Sequence, residues 1–347
     1  MVAEDTERRI SVVLFNLGGP DRLQSVRPFL FNLFNDRAII SLPQPVRWLL
    51  AQLISRVRER TAIEIYRRMG GGSPLAEETE VQRQALETLL SERLDARVQV
   101  VVAMRYWRPF TRDAAAAVER FGPAKVVLLP LYPQFSTTTT GSSLGAWRRA
   151  YRGGGEVRAV CCYPEEESFL DAHVEVIRGI LGERHALSSL RLIFSAHGLP
   201  ERVILGGDPY QDQIERTSRR VAERLGAIDW TVSYQSRVGP LKWIGPSTLE
   251  VLEQAGQEKR GVLVTPVAFV SEHSETLVEL DIEYRELAEE AGVPVYLRAP
   301  AIGAHPAYIS ALAEMVARRL EGPAVAPCSK PCDPGFAACP FRLGAAA

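Results

Sequence analysis

The stretches RVQVVVAM (Arg97–Met104) and KVVLLPL (Lys125–Leu131) decide the fold. Each is a nearly unbroken apolar run, the pattern of a strand covered on both faces in a parallel sheet. Working outward, similar runs recur at Ile10–Asn16 and Val157–Cys162, then at Leu190–Ala196, Asp229–Gln235, Gly261–Pro266 and Pro294–Arg298. Segments of helical periodicity lie between them, among them Thr79–Leu94, Gln211–Leu225, Ser274–Ala291 and Pro306–Leu320. This alternation makes βαβ units with right-handed crossovers, hence a doubly wound α/β architecture. The strands divide evenly at a seam near Tyr163–Glu167, which predicts two Rossmann-like lobes with parallel sheets, residues 1–164 and 165–320, around an interlobe cleft. After Glu321 a tail rich in Pro, Gly and Cys, residues 321–347, replaces the helical pattern.

Composition narrows the function classes. Over 347 residues, 41 Lys and Arg face 42 Asp and Glu, a formal net charge of −1. Nucleic-acid binding would leave a basic surplus, so the expectation is no nucleic-acid partner. With 46% hydrophobic and 24% charged residues the chain reads as an ordinary soluble protein. Five cysteines are an odd number and too few for a disulfide scaffold. No run approaches the roughly 18 apolar residues of a spanning helix. The opening Met1–Arg9 has no apolar signal core, so the expected location is cytoplasmic.

Pro28–Arg60 breaks the alternation. It gathers Phe29, Phe31, Phe34, Trp48, Leu49, Leu53 and Ile54 among Arg47, Arg56 and Arg58. One reading is an amphipathic helix lying on the core. The other is an apolar lip around a pocket for a flat hydrophobic ligand, touching a membrane surface.

In open parallel sheets the ligand sits beyond the carboxyl ends of the strands. LRLIFSA runs into His197, and GVLVTPVAFV runs into Ser271-Glu272-His273-Ser274-Glu275. Only five histidines occur in the chain, and two of them stand at these strand ends. A lone histidine is usually structural; two at neighbouring strand ends beside a glutamate point to a proton-transfer site. Glu272, Glu275, Glu279 and Glu283 follow at helical spacing. Like charges four apart destabilise a helix, so the row calls for a reason. It is either a solvated face or a carboxylate track carrying a hard cation or protons toward the cleft.

Weaker signals surround these. Gly70-Gly71-Gly72-Ser73-Pro74 is an anion-binding loop or a helix-ending turn. Arg105, past the Arg97–Met104 strand, is a carboxylate fork or a surface ion pair. No P-loop, GxGxxG, HExxH or GxSxG motif is present. Cys328, Cys332 and Cys339 are concentrated in the tail, and Cys161 or Cys162 can supply a fourth thiolate. Four thiolates suit tetrahedral zinc or an iron–sulfur cluster, against a reading as unligated thiols.

Taken in order, NLGGP (Asn16–Pro20), YRRM (Tyr66–Met69) before GGGSP, LYPQFS (Leu131–Ser136), SAHGLP (Ser195–Pro200), QSRVGP (Gln235–Pro240) with Trp243, and Ser271–Asp281 resemble the ferrochelatase family. The resemblance runs from about Ile10 to Leu320. It implies a two-lobed chelatase fold and a lyase that inserts Fe2+, as substrate, into a porphyrin in the terminal step of haem synthesis. It implies His197 as pyrrole-proton acceptor or metal-site residue with Glu275 opposite, and Glu272, His273 and Glu279 as an acidic metal path. Leu17, Ser73, Arg105, Tyr132 and Trp243 would bind the porphyrin, with Pro28–Ile54 as the lip. Some family members hold a [2Fe–2S] cluster through C-terminal cysteines, which implies Cys328, Cys332 and Cys339 with Cys161 or Cys162. A homodimer and peripheral contact of the lip with the inner face of the cell membrane complete the expected partners. The apolar lip favours protoporphyrin IX over coproporphyrin III. A non-catalytic tetrapyrrole-binding protein is the alternative of another class.

Overall fold

The structure, a computed structural model, describes residues 9–182, 185–237, 239, 241–328 and 331–341. The first eight residues, read above for a signal core, lie outside these. So do Val238 and Pro240 of the QSRVGP stretch and the tail positions 329–330 and 342–347.

Strands form where the apolar runs predict them: β1 (Arg9–Asn16), β2 (Arg97–Met104), β3 (Lys125–Pro130), β4 (Glu156–Val160), β5 (Leu190–His197), β6 (Trp230–Gln235), β7 (Gly261–Pro266) and β8 (Tyr296–Arg298). All pairings are parallel, in one sheet of order β2-β1-β3-β4 and another of order β6-β5-β7-β8. The two lobes therefore repeat one topology. Each has its switch point beside its first strand, where Asn16 and His197 stand at the carboxyl ends.

A ninth strand was not foreseen. Val325–Ala326 of the tail, β9, adds in parallel to β4 at the edge of the first sheet. The tail thus belongs structurally to the first lobe. The helix Pro306–Arg319 leads it there, packing on the helices Glu167–Leu181 and Leu75–Arg93 and against β3 and β4. Sequence order alone had grouped that helix with the second lobe.

Nor do the sheets have wholly separate cores. Val12, Leu14 and Leu129 of the first and Leu192, Phe194 and Leu263 of the second belong to one continuous buried cluster. Phe169, Ile214 and Tyr308, from helices layered between the sheets, complete it. The helix Pro306–Arg319 packs on β3 and β4, the helix Tyr210–Leu225 on β6, and the helix Glu167–Leu181 joins the two, so burial runs through the seam.

The Pro28–Arg60 segment resolves into helices Val26–Phe34 and Gln44–Arg68. They pack through buried Phe29, Leu30, Ala51 and Ser55. Leu49, Leu53 and Val57, however, are 63%, 60% and 71% exposed. The core-packing reading of Leu49 and Leu53 is thereby overturned: the stripe faces outward, with Trp48 edge-on to Phe31 at 6.3 Å.

Candidate active site at the facing strand ends

His197 is the last residue of β5, and its Nδ1 lies 2.8 Å from Glu275 Oε2. Gly198 follows, with Trp243 beside it. A Cβ there would stand 2.9 Å from the Gln235 carbonyl oxygen, so glycine is what lets the two backbones approach. The His197 side chain keeps 38% of its surface open, which leaves its far edge available in the cleft. With Nδ1–H donating to Glu275, Nε2 carries the free lone pair.

Burial works against charge on His197, yet the adjacent Glu275 carboxylate and then Glu279 lift its pKa above the ordinary value. Burial likewise opposes charge on Glu275. The attraction and hydrogen bond of His197, with His273 and Ser236, overcome it and hold that carboxyl below its usual range. Glu279 moves the other way, raised by burial and by repulsion from Glu275. Two neighbouring carboxyls are thus driven apart, one kept ionised and the other ready to hold a proton.

Ser236 joins them. Its hydroxyl lies 3.1 Å from Glu275 Oε2 and 2.7 Å from Glu279 Oε2, and Gln235 Nε2 donates to Glu279 over 3.1 Å. Ser236 has φ of 62°, a left-handed conformation costly for a side-chain-bearing residue. Sequence reading quoted this residue within a motif but gave it no role.

The acidic row is not one α-helical face. Glu275–Glu283 is a π-helix, with an α-helix only from Tyr284 to Glu290. The wider π turn changes how the side chains stack, and such segments are frequent at functional sites. Glu272 stands before the helix and is occupied elsewhere: its Oε1 accepts from Arg298 Nη1 at 2.5 Å and from the Ala301 N–H at 3.0 Å. Arg298, 8% exposed in its side chain, also pairs with Asp281. His273 accepts the Glu275 N–H at Nδ1 over 3.0 Å and packs edge-on to Phe269. Burial lowers its pKa, so it serves as a neutral acceptor shaping the turn.

The first lobe brings residues of the helices Gln44–Arg68 and Leu75–Arg93 to the same place. Tyr66 hydrogen-bonds Ser274 and, pushed up to about 12 by burial, stands near Glu275. Gln82 Nε2 donates to the carbonyls of Val270 and Gly303, and Glu78 Oε2 accepts the Glu272 N–H over 2.7 Å. Burial raises Glu78 to about 7. Glu78 and Gln82 went unnoticed in sequence because Leu75–Arg93 reads as an ordinary helix, and Tyr66 was quoted in its motif without a role.

Leu17 packs beside the buried group of Phe29, Leu30, Tyr66 and Tyr106. Ser73 is pressed against the first turn, where a Cβ on Gly19 would lie 2.5 Å from its own. Arg105 donates from Nε to Ser142 at 2.7 Å and from Nη2 to buried Asp36 at 2.7 Å, so most of its fork is already engaged. Tyr132 is half-buried, near Ser143 and Arg105.

Four of the five cysteines gather past the carboxyl end of β4. Cys161 and Cys162 lie past the end of β4, so strand alternation does not separate them, and their sulfurs are 3.8 Å apart. Gln213 Nε2 donates to Cys162 Sγ at 3.5 Å and Cys332 Sγ at 3.1 Å. Cys332 is further in hydrogen-bond contact with Cys162 and Cys339. Cys328 instead lines a charged cavity of about 560 Å³ with Glu166, Arg216 and Arg318, its thiol pushed up to about 11 by burial. The donor chemistry suits a thiolate-bound cluster. Among the described residues, though, no group of three or more His, Cys, Asp or Glu stands ready-made to hold a metal ion.

Known proteins share the fold and much of the sequence. Among solved structures, SirB from Bacillus subtilis with Fe3+ superposes with TM-score 0.52 at 10% identity, covering 90% of this chain and 95% of that one. CbiX, the terminal enzyme of sirohaem biosynthesis in denitrifying bacteria, gives 0.52 at 13% identity, covering 90% and 100%. These establish the shared fold. The ferrochelatase of Caulobacter vibrioides is 53% identical over 345 residues, 98% of this chain and 99% of that protein. That of Phenylobacterium zucineum is 54% identical over 321 residues, 92% and 94% of the two chains. The ferrochelatase family model matches residues 9–320, and the chain belongs to the ferrochelatase family.

Proposed function

We propose that this chain is the porphyrin metal chelatase, a lyase, that inserts Fe2+ into protoporphyrin IX with His197 as the pyrrole-proton acceptor. The observation that carries the assignment is the His197–Glu275 pair, with Nδ1 anchored at 2.8 Å and 38% of the imidazole side chain still exposed. Metal insertion releases two pyrrole protons. An imidazole with its Nδ1–H directed at a carboxylate is a competent base, and Glu275 stabilises the imidazolium that forms. Glu279, tied to Glu275 through Ser236, is the next proton or cation holder along the π-helix. Glu272 and His273 shape this path rather than line it: one is held by Arg298, the other by the Glu275 backbone.

Leu17, Ser73, Tyr132 and Trp243 are the proposed porphyrin contacts, and Arg105 acts on a propionate through the nitrogen that Asp36 and Ser142 leave free. The outward stripe Leu49–Leu53–Val57 supports protoporphyrin over the more anionic coproporphyrin, and a peripheral membrane contact at a cytoplasmic location. A homodimer is part of the same reading. Anaerobic Fe2+ insertion into each porphyrin tests the assignment: His197→Ala should bind porphyrin and fail to metalate it, and near-normal turnover would sink it.

A [2Fe–2S] cluster on the tail is a further part of the proposal, supported by the contacts that link Cys162, Cys332 and Cys339 and draw Cys161 close. Bound there, it would supply a redox-sensitive staple between tail and core. Visible absorbance of the purified protein that vanishes in Cys332→Ser is the expected result.

A further inference from the structure

His197 is held by more than its side chain. Tyr210, 6% exposed, opens the helix Tyr210–Leu225, and its hydroxyl donates to the His197 backbone carbonyl over 3.1 Å. That carbonyl stands at the end of β5, where the strand ladder gives out after the pairing of His197 with Gln235. The Gly198 N–H still bonds the Gln235 carbonyl at 2.9 Å, so the N–H side of the His197–Gly198 peptide is held by the neighbouring strand. The phenol restrains its carbonyl side.

Tyr210 is itself fixed from the first lobe. Asp208, 1% exposed, accepts the Tyr210 N–H at Oδ1 over 3.0 Å. Its Oδ2 accepts the Thr137 N–H at 2.7 Å, the Thr137 hydroxyl at 2.8 Å and the Ser136 hydroxyl at 3.1 Å. Ser136 and Thr137 lie in the loop after β3 that also carries Tyr132. The tail then closes over the same turn. The Ala338 N–H donates to the Gly207 carbonyl at 3.2 Å. Gly207 has φ of 87°, and a Cβ there would lie 2.8 Å from the Ala337 nitrogen. One turn further along the helix, Gln213 accepts the Phe135 N–H at 2.7 Å and donates to the Cys162 and Cys332 sulfurs.

We infer that Tyr210 is a positioning residue for His197, and that the C-terminal tail bears on the catalytic histidine through the Gly207–Asp208 turn that sets Tyr210. The inference rests on His197 being the proton acceptor. It gives the tail a part in turnover through packing and hydrogen bonds alone, without any group bound to its cysteines. Misplacement of a reacting group by about 1 Å costs up to about a hundredfold in rate, so loss of one restraint is expected to cost about tenfold.

Tyr210→Phe keeps the buried ring and removes only the hydroxyl. Its kcat should fall about tenfold, with KM for porphyrin and for Fe2+ within about twofold of the parent. A purely structural role would leave the kcat of the folded fraction unchanged. Ala338→Pro removes the donor to Gly207 without touching the cleft and should lower kcat in the same direction. The double variant should be no worse than Tyr210→Phe alone, since both act on one element. Unchanged kcat in Tyr210→Phe overturns the positioning role, and full additivity overturns the route through the turn. Should Tyr210→Phe fail to fold, Ala338→Pro carries the test, and parental kcat there overturns the inference. His197→Ala separates the layers: retained turnover removes the base assignment and this role with it. An inactive His197→Ala beside an unimpaired Tyr210→Phe overturns the positioning role alone.

Discussion

Glu275→Gln is the most informative single perturbation, because it removes a charge while preserving the shape of the acceptor. Two unit charges about 4 Å apart attract by about 4 kcal/mol at an effective dielectric near 20. The His197 side chain is 38% exposed, so solvent screening cuts this to about 1–2 kcal/mol, or about one pH unit. Glu275 raises the pKa of His197, and a proton acceptor works only when deprotonated. Removing the carboxylate should therefore shift the acid limb of the kcat–pH profile about one unit lower. The plateau should fall about tenfold as well, because the imidazolium formed on proton transfer loses its counter-charge. The assay is anaerobic Fe2+ insertion across pH, with the His197 imidazole followed by NMR in the same buffers. An acid limb that stays in place, or a plateau that does not fall, would refute the coupling between these two side chains.

Glu279→Gln should raise KM for Fe2+ while leaving KM for porphyrin within twofold, and an unchanged iron dependence would count against its place on the metal path. Gly198→Ala should lower stability by about 1–3 kcal/mol, since the new methyl meets the Gln235 carbonyl at 2.9 Å, and chemical denaturation measures the loss. Glu78 has its folded pKa raised to about 7, so between its unfolded value and that pH the native state binds more protons than the unfolded one. Its contribution to stability accordingly declines as pH rises through that window, by about 1–2 kcal/mol after allowance for solvent screening. Glu78→Gln should flatten that part of the stability–pH curve, and identical slopes for parent and variant would contradict the assignment.

The two sheets were legible because parallel strands buried on both faces must be apolar throughout, and few other elements produce runs like RVQVVVAM. His197 and Glu275 were legible because parallel topology sends every such run to a carboxyl end on the same side of its sheet. Local pattern carries that information whole. The motifs from NLGGP to the Ser271–Asp281 stretch then identified the family, which comparison with known chelatases bears out.

What local pattern could not carry was partnership at long range. Glu272 looked equal to Glu275, yet Arg298 occupies it; Arg105, left open in sequence between a carboxylate fork and an ion pair, is paired with Asp36. An ion pair across many residues leaves no periodic trace in either segment. The π-helix was hidden because its apolar pattern is close to that of an α-helix. The outward stripe at Leu49–Val57 had the same spacing as a buried one, and only the packing of Ala51 and Ser55 decides which face turns inward. The sequence by itself determined the strands, their carboxyl ends and the chemical types gathered there. Only the tertiary structure decided which of those groups remain free to act, because availability is set by what else the fold brings within hydrogen-bonding reach.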